Sequence, residues 1–492
     1  MNSKKTDSTG ENPHHSRRWK ILAFLALAQL MVVLDATIVN IALPSAQSDL
    51  GFGDADRQWI ITAYALAFGS LLLLGGRLAD YFGRKRTLIA GLLGFAGASA
   101  VGGLAPGFEV LVGARALQGM FGALLAPSAL STLTNTFTIP SERAKAFGVY
   151  GALAGGGGAI GLLLGGVLTE YLDWRWTMFV NVAFAIPAAI GLITLLVNDS
   201  RQGEMRVDIP GAVAASSGLF AIVFGFSRAE SDGWTAAVTL SSLAIGVGLL
   251  ALFVLIERRS AMPLLPARVV ADRNRAGSYL AVGVAGASMF GVFLFLTYYL
   301  QQTLGMSPVE TGLAFLPMIA FLMVGSISSS TRLMPRFGPR PLVPTGMVLA
   351  AAGMVWLTGV EVDSSYAGAV LPGLALVGAG FGLVIAPSMA SATLGVAASD
   401  SGVASAMVNT SQQVGGSVGT ALLSTISASA VTAFASGKVP SPELAAQAAV
   451  HGYTTAFWVS AAMLMAGAVV TAVTLRSGAP QTDDGHGLAM AH

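Results

Sequence analysis

The sequence contains no cysteine, and charged side chains are scarce throughout its 492 residues. The absence of cysteine excludes a disulfide framework, a thiolate nucleophile and a cysteine-based metal site. Asp, Glu, Lys and Arg together make up 11% of the residues, against roughly 25% in ordinary soluble proteins. With 54% hydrophobic residues, the chain has too little polar surface to cover a soluble globule. Most of its exterior must face lipid, which excludes a soluble enzyme and a disordered chain.

The sequence also gives no support to nucleotide, metal or nucleic-acid binding. A Walker A motif is missing, since Gly437-Lys438 is followed by Val439. The five histidines are scattered and form no paired-ligand motif within an apolar stretch. A net charge of only +2 gives nucleic acid no electrostatic attraction. We therefore expect no enzymatic activity, no cofactor and no metal.

Fourteen apolar runs of about 20 residues follow one another along the chain, and each has the length of a transmembrane helix. The connections between them are short and hold most of the charge. This pattern predicts an all-α integral membrane protein with fourteen spans. The predicted spans cover residues 20–44, 58–79, 87–105, 108–135, 146–170, 175–197, 209–228, 235–256, 275–300, 309–331, 341–360, 367–394, 402–434 and 452–475.

The distribution of Lys and Arg predicts the orientation of these spans. With the N-terminus in the cytoplasm, 22 of the 27 Lys and Arg residues fall on the cytoplasmic side and four fall outside, while Arg115 lies within a span. Cytoplasmic loops of membrane proteins carry such an excess of positive charge. We therefore expect a multi-pass protein of the cell membrane with both termini in the cytoplasm.

Short patterns recur 255–260 residues apart and indicate an internal duplication. Phe-Gly at 82–83 recurs at 337–338, and Gly-Gly-x-x-Gly at 157–161 recurs at 415–419. Parallel repeats of this kind are typical of transporters that bind substrate between two helical bundles. The predicted organisation is a cytoplasmic tail (1–18), a first six-helix bundle (19–197), a linker with two inserted helices (198–272), a second six-helix bundle (273–476) and a cytoplasmic tail (477–492).

Only two charged side chains fall well inside predicted spans, Asp35 in the first and Arg115 in the fourth. Charges at this depth are expensive and usually mark a functional site. Two interpretations remain open: a proton or substrate site, or a buried ion pair that fixes packing. Counted from the outer ends of their spans, both residues lie roughly 10–14 Å deep. We predict that Asp35 carries a proton and that Arg115 tunes it.

The second half has amides, hydroxyls and aromatic residues in its spans instead of deep charges. Aromatic and methionine side chains adapt to lipophilic molecules of many shapes, although amides also form hydrogen bonds between helices. We predict a cleft with weak charge selectivity. The candidates for substrate contact are Tyr64, Gln118, Phe290, Asn409 and Gln413.

Glycines spaced by four residues lie in the fifth predicted span, at Gly157, Gly161 and Gly165, with Gly166 directly after them. Small residues at this spacing let two membrane helices approach closely. The fifth span is therefore predicted to pack tightly against another helix through these glycines.

Three longer motifs resemble those of the major facilitator superfamily, specifically its fourteen-span drug:proton antiporters. They are LDATIVNIALP at 34–44, GRLADYFGRKR at 76–86 and RALQG at 115–119. The resemblance covers residues 20–475 and implies two six-helix bundles plus two inserted helices. It also implies export of lipophilic drugs or antibiotics, driven by the proton gradient. In that family the second motif closes the cytoplasmic side, which assigns this role to Gly76, Asp80, Gly83 and Arg84.

One motif departs from that family. Its antiporters carry Gly-Pro in the fifth span, whereas Gly161 is followed here by Leu162. Proline would kink the helix, so its absence weakens the case for antiport and leaves an importer or facilitator of a small solute as an alternative. An exporter of lipid, or of an antibiotic that the host makes itself, is a further alternative. The expected partners are a lipophilic small molecule, protons and the bilayer, without nucleic acid, and the chain is expected to be a monomer.

Overall fold

The computed structural model describes residues 17–54, 56–137, 139–197, 208–260, 263–393, 396 and 401–476. Within these ranges the chain forms long helices joined by short loops. The predicted tails at 1–18 and 477–492 fall outside the described residues, apart from Arg17 and Arg18.

Fourteen helices of 19 residues or more are present in the described ranges, and each coincides with one predicted span. A helix satisfies its backbone hydrogen bonds internally, which is what an apolar segment in lipid requires. The helices are α1 (Arg18–Leu50), α2 (Gln58–Phe82), α3 (Arg84–Gly103), α4 (Phe108–Thr136), α5 (Pro140–Tyr171), α6 (Trp176–Leu195), α7 (Ile209–Asp232), α8 (Ala237–Arg259), α9 (Arg273–Tyr298), α10 (Pro308–Ser328), α11 (Pro339–Leu357), α12 (Leu371–Thr393), α13 (Ser401–Ala435) and α14 (Pro442–Thr474). Turns of π-helix at Tyr299–Thr303, Ser329–Leu333 and Tyr366–Val370 extend α9, α10 and α12.

Twelve of these helices are long and apolar enough, within the described residues, to cross a membrane. The other two, α2 and α5, contain shorter apolar stretches at Gln58–Leu72 and Gly157–Tyr171. The side chains that adjoin these stretches, at 73 in α2 and at 151–156 in α5, lie outside the described residues. The chain is thus an all-helical, multi-pass membrane protein with twelve candidate spans among its described residues, and the count of fourteen stays a prediction.

The first helix is longer than predicted. α1 continues through Pro44 to Leu50 and ends where Gly51 adopts a left-handed backbone conformation, with φ at 68°. Proline removes the hydrogen bond of its own backbone nitrogen, and Pro44 is buried among neighbouring helices that support α1 on both sides of it. The prediction that the first span ends near Pro44 is therefore wrong.

The last helix begins ten residues earlier than predicted, at Pro442 instead of residue 452. The Ser441 side chain accepts a 3.0 Å hydrogen bond from the backbone nitrogen of Leu444 and caps the helix. Serine followed by proline is a helix-start signal, but polar residues such as Glu443 and Gln447 hide this first segment from a search for apolar runs.

The helices form two groups with the same packing pattern. In the first half, α1 packs on α4, α5 and α6, while α4 packs on α2 and α3. In the second half, α9 packs on α12, α13 and α14, while α12 packs on α10 and α11. Each contact in one half recurs eight helices later in the other, as the repeated sequence patterns indicated.

Two seams join the halves: α2 packs on α13, and α5 packs on α10. The inserted helix α7 packs on both α2 and α13, and α8 packs on α7. Val223 of α7 is buried with Leu66 of α2 and Ala421 of α13, and Thr425 of α13 donates a 2.7 Å hydrogen bond to the Phe226 carbonyl of α7. The inserted pair therefore covers the α2–α13 seam.

Both described chain ends lie at the same end of the helices. The last turns of α1 and α9 meet, since the Tyr298 hydroxyl donates a hydrogen bond to Gln47. The start of α9 meets the end of α14, where the Arg476 nitrogen donates a 2.8 Å hydrogen bond to Asn274. We call the end with Arg18 and Arg476 the terminal end, and the opposite end, with the loop at 51–57, the distal end.

Candidate functional site

Asp35 of α1 is the centre of a buried polar cluster. Its side chain is 0% exposed and accepts hydrogen bonds from three other side chains. Arg115 Nη1 donates at 2.6 Å and Gln118 Nε2 at 2.9 Å, both from α4. Asn181 Nδ2 donates from α6 at 2.7 Å. Both carboxylate oxygens therefore accept hydrogen bonds, which is the arrangement that an ionised carboxylate requires.

Arg115 uses the branched shape of its guanidinium to join three helices. Nη1 also donates a 2.9 Å hydrogen bond to Gln118 Oε1, and Nε donates a 3.0 Å hydrogen bond to the Ile60 carbonyl of α2. The Tyr64 ring lies 4.4 Å from the guanidinium carbon, which is a cation–π distance. Since Arg115 is 2% exposed, its charge is compensated by these contacts and by the carboxylate, as a buried charge must be.

Two of the predicted substrate contacts belong to this cluster. Gln118 is fully buried and donates a second hydrogen bond, of 2.7 Å, to Ser99 Oγ of α3. Tyr64 is 3% exposed because its ring is packed beneath Arg115. In this conformation both side chains contact the ion pair and present almost no open surface.

Sequence analysis missed Asn181 and Ser99. Asn181 is fully buried in α6, and its Oδ1 accepts no hydrogen bond among the described residues. The sequence did carry a signal for Asn181, because it is an isolated amide in a helix, Trp176–Leu195, that has no charged residue. Apolar membrane helices carry few polar side chains, so such a residue is a candidate for a functional site. The cluster therefore draws on five helices, although the two charges that sequence analysis found come from α1 and α4.

The arrangement can couple protonation of Asp35 to the contacts that join α1 to α4 and α6. A neutral carboxyl group carries an O–H that needs an acceptor, whereas the three side chains within hydrogen-bond distance of Asp35 all donate to it. A proton on Asp35 would therefore remove the charge that pairs with Arg115, and its O–H would find no acceptor in these three groups as they are oriented. Among the described residues, no group of three or more His, Asp or Glu side chains could hold a metal ion.

The glycines predicted to pack α5 face two different helices. Gly157, Gly161 and Gly165 face α1, where an added Cβ would lie 2.0–3.0 Å from side-chain atoms. Gly166 faces the start of α10, where an added Cβ would lie 2.7 Å from the carbonyl oxygen of Pro308. Without the motif proline, α5 is one continuous helix through this region. These glycines bring α5 against the helix of the buried carboxylate and against the second half of the chain.

The remaining predicted substrate contacts lie away from the Asp35 cluster. Gln413 of α13 lies at the α2–α13 seam, where an added Cβ on Gly69 would be 2.8 Å from the Gln413 Cβ. Phe290 of α9 is half-buried against Gly416 of α13. Asn409 is exposed, one turn before Gln413.

The predicted gate motif lies at the terminal end, between α2 and α3. Gly83 joins these helices with φ at 91°, a conformation that other residues rarely adopt. Gly338 has φ at 72° at the repeated position between α10 and α11. A Cβ added to Gly76 would lie 3.7 Å from the Cβ of Pro127 in α4, which is an ordinary van der Waals distance.

Arg84 begins α3 and lies beside Thr132 and Asn135 of α4. The backbone of Asp80 is helical, and its side chain lies outside the described residues. The structure therefore positions the glycine turn and Arg84, whereas the contacts of the Asp80 carboxylate stay a prediction.

Residues 25–420 match the family model described as Major Facilitator Superfamily. The chain therefore belongs to this family of membrane transporters, as the motifs at 34–44, 76–86 and 115–119 indicated. It is 50% identical over 471 residues to the puromycin resistance protein pur8 of Streptomyces alboniger. This alignment covers 95% of this chain and 93% of that relative. It is 38% identical over 468 residues to the cephamycin export protein CmcT of Amycolatopsis lactamdurans, in an alignment that covers 94% of each chain.

The fold is also found among solved structures. The structure of the POT family transporter PepTSo matches with a TM-score of 0.67 over 94% of this chain and 97% of that chain. The sequences are 15% identical in this alignment, so the similarity concerns the fold alone.

Proposed function

We propose that this protein is a secondary transporter that exports lipophilic antibiotics or drugs in exchange for protons. The printed names of two relatives, a puromycin resistance protein and a cephamycin export protein, support export of an antibiotic. In this proposal the protein is a monomer in the cell membrane with both termini in the cytoplasm. Transport is driven by the proton gradient and uses no cofactor.

The transport cycle in this proposal is alternating access between two six-helix bundles, at 19–197 and 273–476. All fourteen helices cross the membrane, and the inserted pair within 198–272 packs along the α2–α13 seam. The repeated packing of the two halves and the glycine contacts at the α5–α10 seam support this arrangement. The bundles rock about the seams, so that the substrate cleft opens to one side of the membrane at a time.

The observation that carries the proposal is the buried Asp35 carboxylate with its three donors on α4 and α6. Protonation of Asp35 would remove the negative charge that holds Arg115 and these donors, so the contacts that join α1 to α4 and α6 would weaken and these helices could shift. Each proton that moves inward across 100 mV supplies about 2.3 kcal/mol to the cycle. That free energy can drive a substrate outward against its gradient.

The substrate surface in this proposal lies between the halves. Phe290, Asn409 and Gln413 supply aromatic and amide contacts from the second half. Tyr64 and Gln118 become accessible from the first half when Arg115 moves away from Asp35. A surface of this composition favours lipophilic molecules and discriminates weakly by charge.

The test is uphill transport of puromycin and ethidium in proteoliposomes under an imposed pH gradient. Asp35→Asn should abolish accumulation against the gradient while downhill exchange persists. The matched control is Asp49→Asn, an acid on the same helix that pairs with Arg175 at 2.6 Å and is partly exposed. This control should keep uphill transport within a few-fold of the unmodified protein.

The alternatives predict different results in the same vesicles. If Asp35→Asn still concentrates substrate, the proton carrier is elsewhere and the proposed mechanism is wrong. An importer would move substrate and protons in the same direction, and a facilitator would move no protons. A lipid exporter would move a fluorescent phospholipid under the pH gradient, with little transport of puromycin or ethidium.

A further inference from the structure

Arg57 is a second buried arginine, at the distal end and outside the Asp35 cluster. It lies in the loop before α2 and is 7% exposed. Its guanidinium carbon lies 4.2 Å from the centre of the Tyr298 ring of α9, and Tyr453 of α14 interacts electrostatically with the same side chain. Asp54 of the same loop lies 3.5 Å from Arg57 Nη1. An arginine of the first half is thus held by two tyrosines of the second half.

Further hydrogen bonds extend this contact between the halves. The Tyr298 hydroxyl donates to Gln47 Oε1 at the end of α1, and Gln47 Nε2 donates a 2.7 Å hydrogen bond to Asp54. Tyr298 and Tyr453 are 0% and 3% exposed. We call Gln47, Asp54, Arg57, Tyr298 and Tyr453 the distal latch. Because its members come from both halves, the latch must break when the halves separate at the distal end.

The distal latch is linked to the Asp35 cluster through the first turn of α2. Ile60 follows Arg57 by three residues, and its carbonyl accepts the 3.0 Å hydrogen bond from Arg115 Nε. The same guanidinium holds Asp35 through Nη1 at 2.6 Å. A movement of Arg115 when Asp35 changes its protonation state therefore acts directly on the turn that begins beside Arg57.

We propose that Arg57 is the positioning residue through which the Asp35 cluster controls closure of the distal end. This inference rests on the proposed function, in which Asp35 exchanges a proton during transport. The ionisable groups that face Arg57 are Asp54, Tyr298 and Tyr453.

Arg115 and Tyr64 are the ionisable groups around Asp35. A guanidinium stays charged at any physiological pH. The latch therefore responds to the protonation of Asp35 by changing position and not by titrating.

The absence of native cysteine allows a direct measurement of the distal end. Leu104→Cys places a spin label on the α3–α4 loop of the first half, where Leu104 is 73% exposed. Val439→Cys places the second label on the α13–α14 loop of the other half, where Val439 is 86% exposed. Electron–electron resonance on this pair, in lipid nanodiscs, reports the closed and open populations of the distal end.

Arg57→Gln should raise the ratio of open to closed molecules about tenfold, because the cation–π contact with Tyr298 and the electrostatic contact with Tyr453 are lost. The matched control is Arg228→Gln, an arginine on α7 whose side chain is 45% exposed, and it should leave the distances unchanged. If the distances in Arg57→Gln equal those of the control, Arg57 does not hold the distal end closed and the inference is wrong.

A second variant tests the link to the cluster. Arg115→Lys keeps a positive charge beside Asp35 but cannot reach the Ile60 carbonyl at the same time, so it should shift the distances in the same direction with Arg57 intact. Unchanged distances in Arg115→Lys would overturn the link. If Arg57→Gln does not fold, Tyr298→Leu and Tyr453→Phe test the latch from the other half, and unchanged distances in both would overturn it.

These distances are measured without transport, so they separate the two proposals. Uphill transport that survives in Asp35→Asn would overturn proton coupling through Asp35, whereas the Arg57→Gln distances would still decide whether the latch closes the distal end. Conversely, unchanged distances in Arg57→Gln would leave the proposed function intact.

Discussion

Gly161 of α5 lies so close to Thr37 of α1 that a Cβ on this glycine would come within 2.0 Å of the threonine Oγ1. The Thr37 hydroxyl donates 3.1 Å hydrogen bonds to the carbonyls of Val33 and Leu34, so a side chain at Gly161 would force it out of these contacts. Thr37 is two residues from Asp35. The close crossing of α5 and α1 therefore fixes the position of the helix that carries the buried carboxylate.

Gly161→Ala should lower the stability of the protein by about 1–3 kcal/mol, because an extra methyl group in a filled contact forces helices or side chains to shift. The measurement is thermal unfolding in detergent. Gly113→Ala on α4 is the matched control, since an added Cβ there meets no heavy atom within 4 Å. Equal melting temperatures for the two variants would contradict the assignment of Gly161 to a tight contact.

Asn181→Leu should reduce uphill transport about tenfold, since it removes one of the three donors to the Asp35 carboxylate with little change in volume. The control on the same helix is Thr177→Val, which removes a buried hydroxyl that donates a 2.6 Å hydrogen bond to the carbonyl of Trp174, just before that helix. The readout is the ratio of uphill to downhill transport, which a loss of folded protein alone does not alter. An equal ratio in the two variants would show that Asn181 has no part in coupling.

The sequence identified the two deep charges, because membrane spans tolerate so few ionisable residues that Asp35 and Arg115 stand out by composition. The other members of the cluster were not evident, because a hydrophobic run defines the length of a span and leaves its rotation about its own axis undetermined. Asn181 reaches Asp35, and Ser99 reaches Gln118, only through the packing of α3 and α6 around α1 and α4.

The same limitation applies to Arg57. From the sequence, Arg57 is only one of the four basic residues expected outside the membrane, where loop arginines are common. Its role at the distal latch depends on Tyr298 and Tyr453, which lie more than 200 residues away in the chain. Such contacts follow from how the two halves meet, whereas the repeated sequence patterns predict only that the halves resemble each other.

The gate motif yields a prediction about the terminal end. Asp80→Asn and Arg84→Gln should each raise labelling of Gln413→Cys by a membrane-impermeant thiol reagent added from the terminal side, because both residues are proposed to keep that side closed. Arg86→Gln is the matched control, since Arg86 lies in the same turn and is exposed. Labelling that equals the control in both variants would count against a gate at this motif.

Substitutions at buried positions of the inserted pair should change the stability of the protein and leave transport nearly unchanged. Val223 is 1% exposed at the α2–α13 seam, so Val223→Ala should cost about 1–3 kcal/mol of stability through lost packing. Transport per folded molecule should remain within a few-fold of the unmodified protein. Ser217→Ala, on an exposed face of α7, should change neither quantity. A specific loss of transport in either variant, with normal folding, would place α7 on the substrate path.

The position of α7 and α8 means that the two junctions between the halves differ in how far they are exposed to lipid. The halves repeat each other, yet one junction between them is covered by the inserted pair, whereas α5 and α10 form the other junction without a comparable helix packed over it in the described part of the chain. A hydrophobic compound that diffuses within the plane of the bilayer therefore meets an uncovered junction on one flank only. Lateral entry from the membrane, where it occurs, has a single direction of approach, past the glycine-lined crossing of α5 and α10.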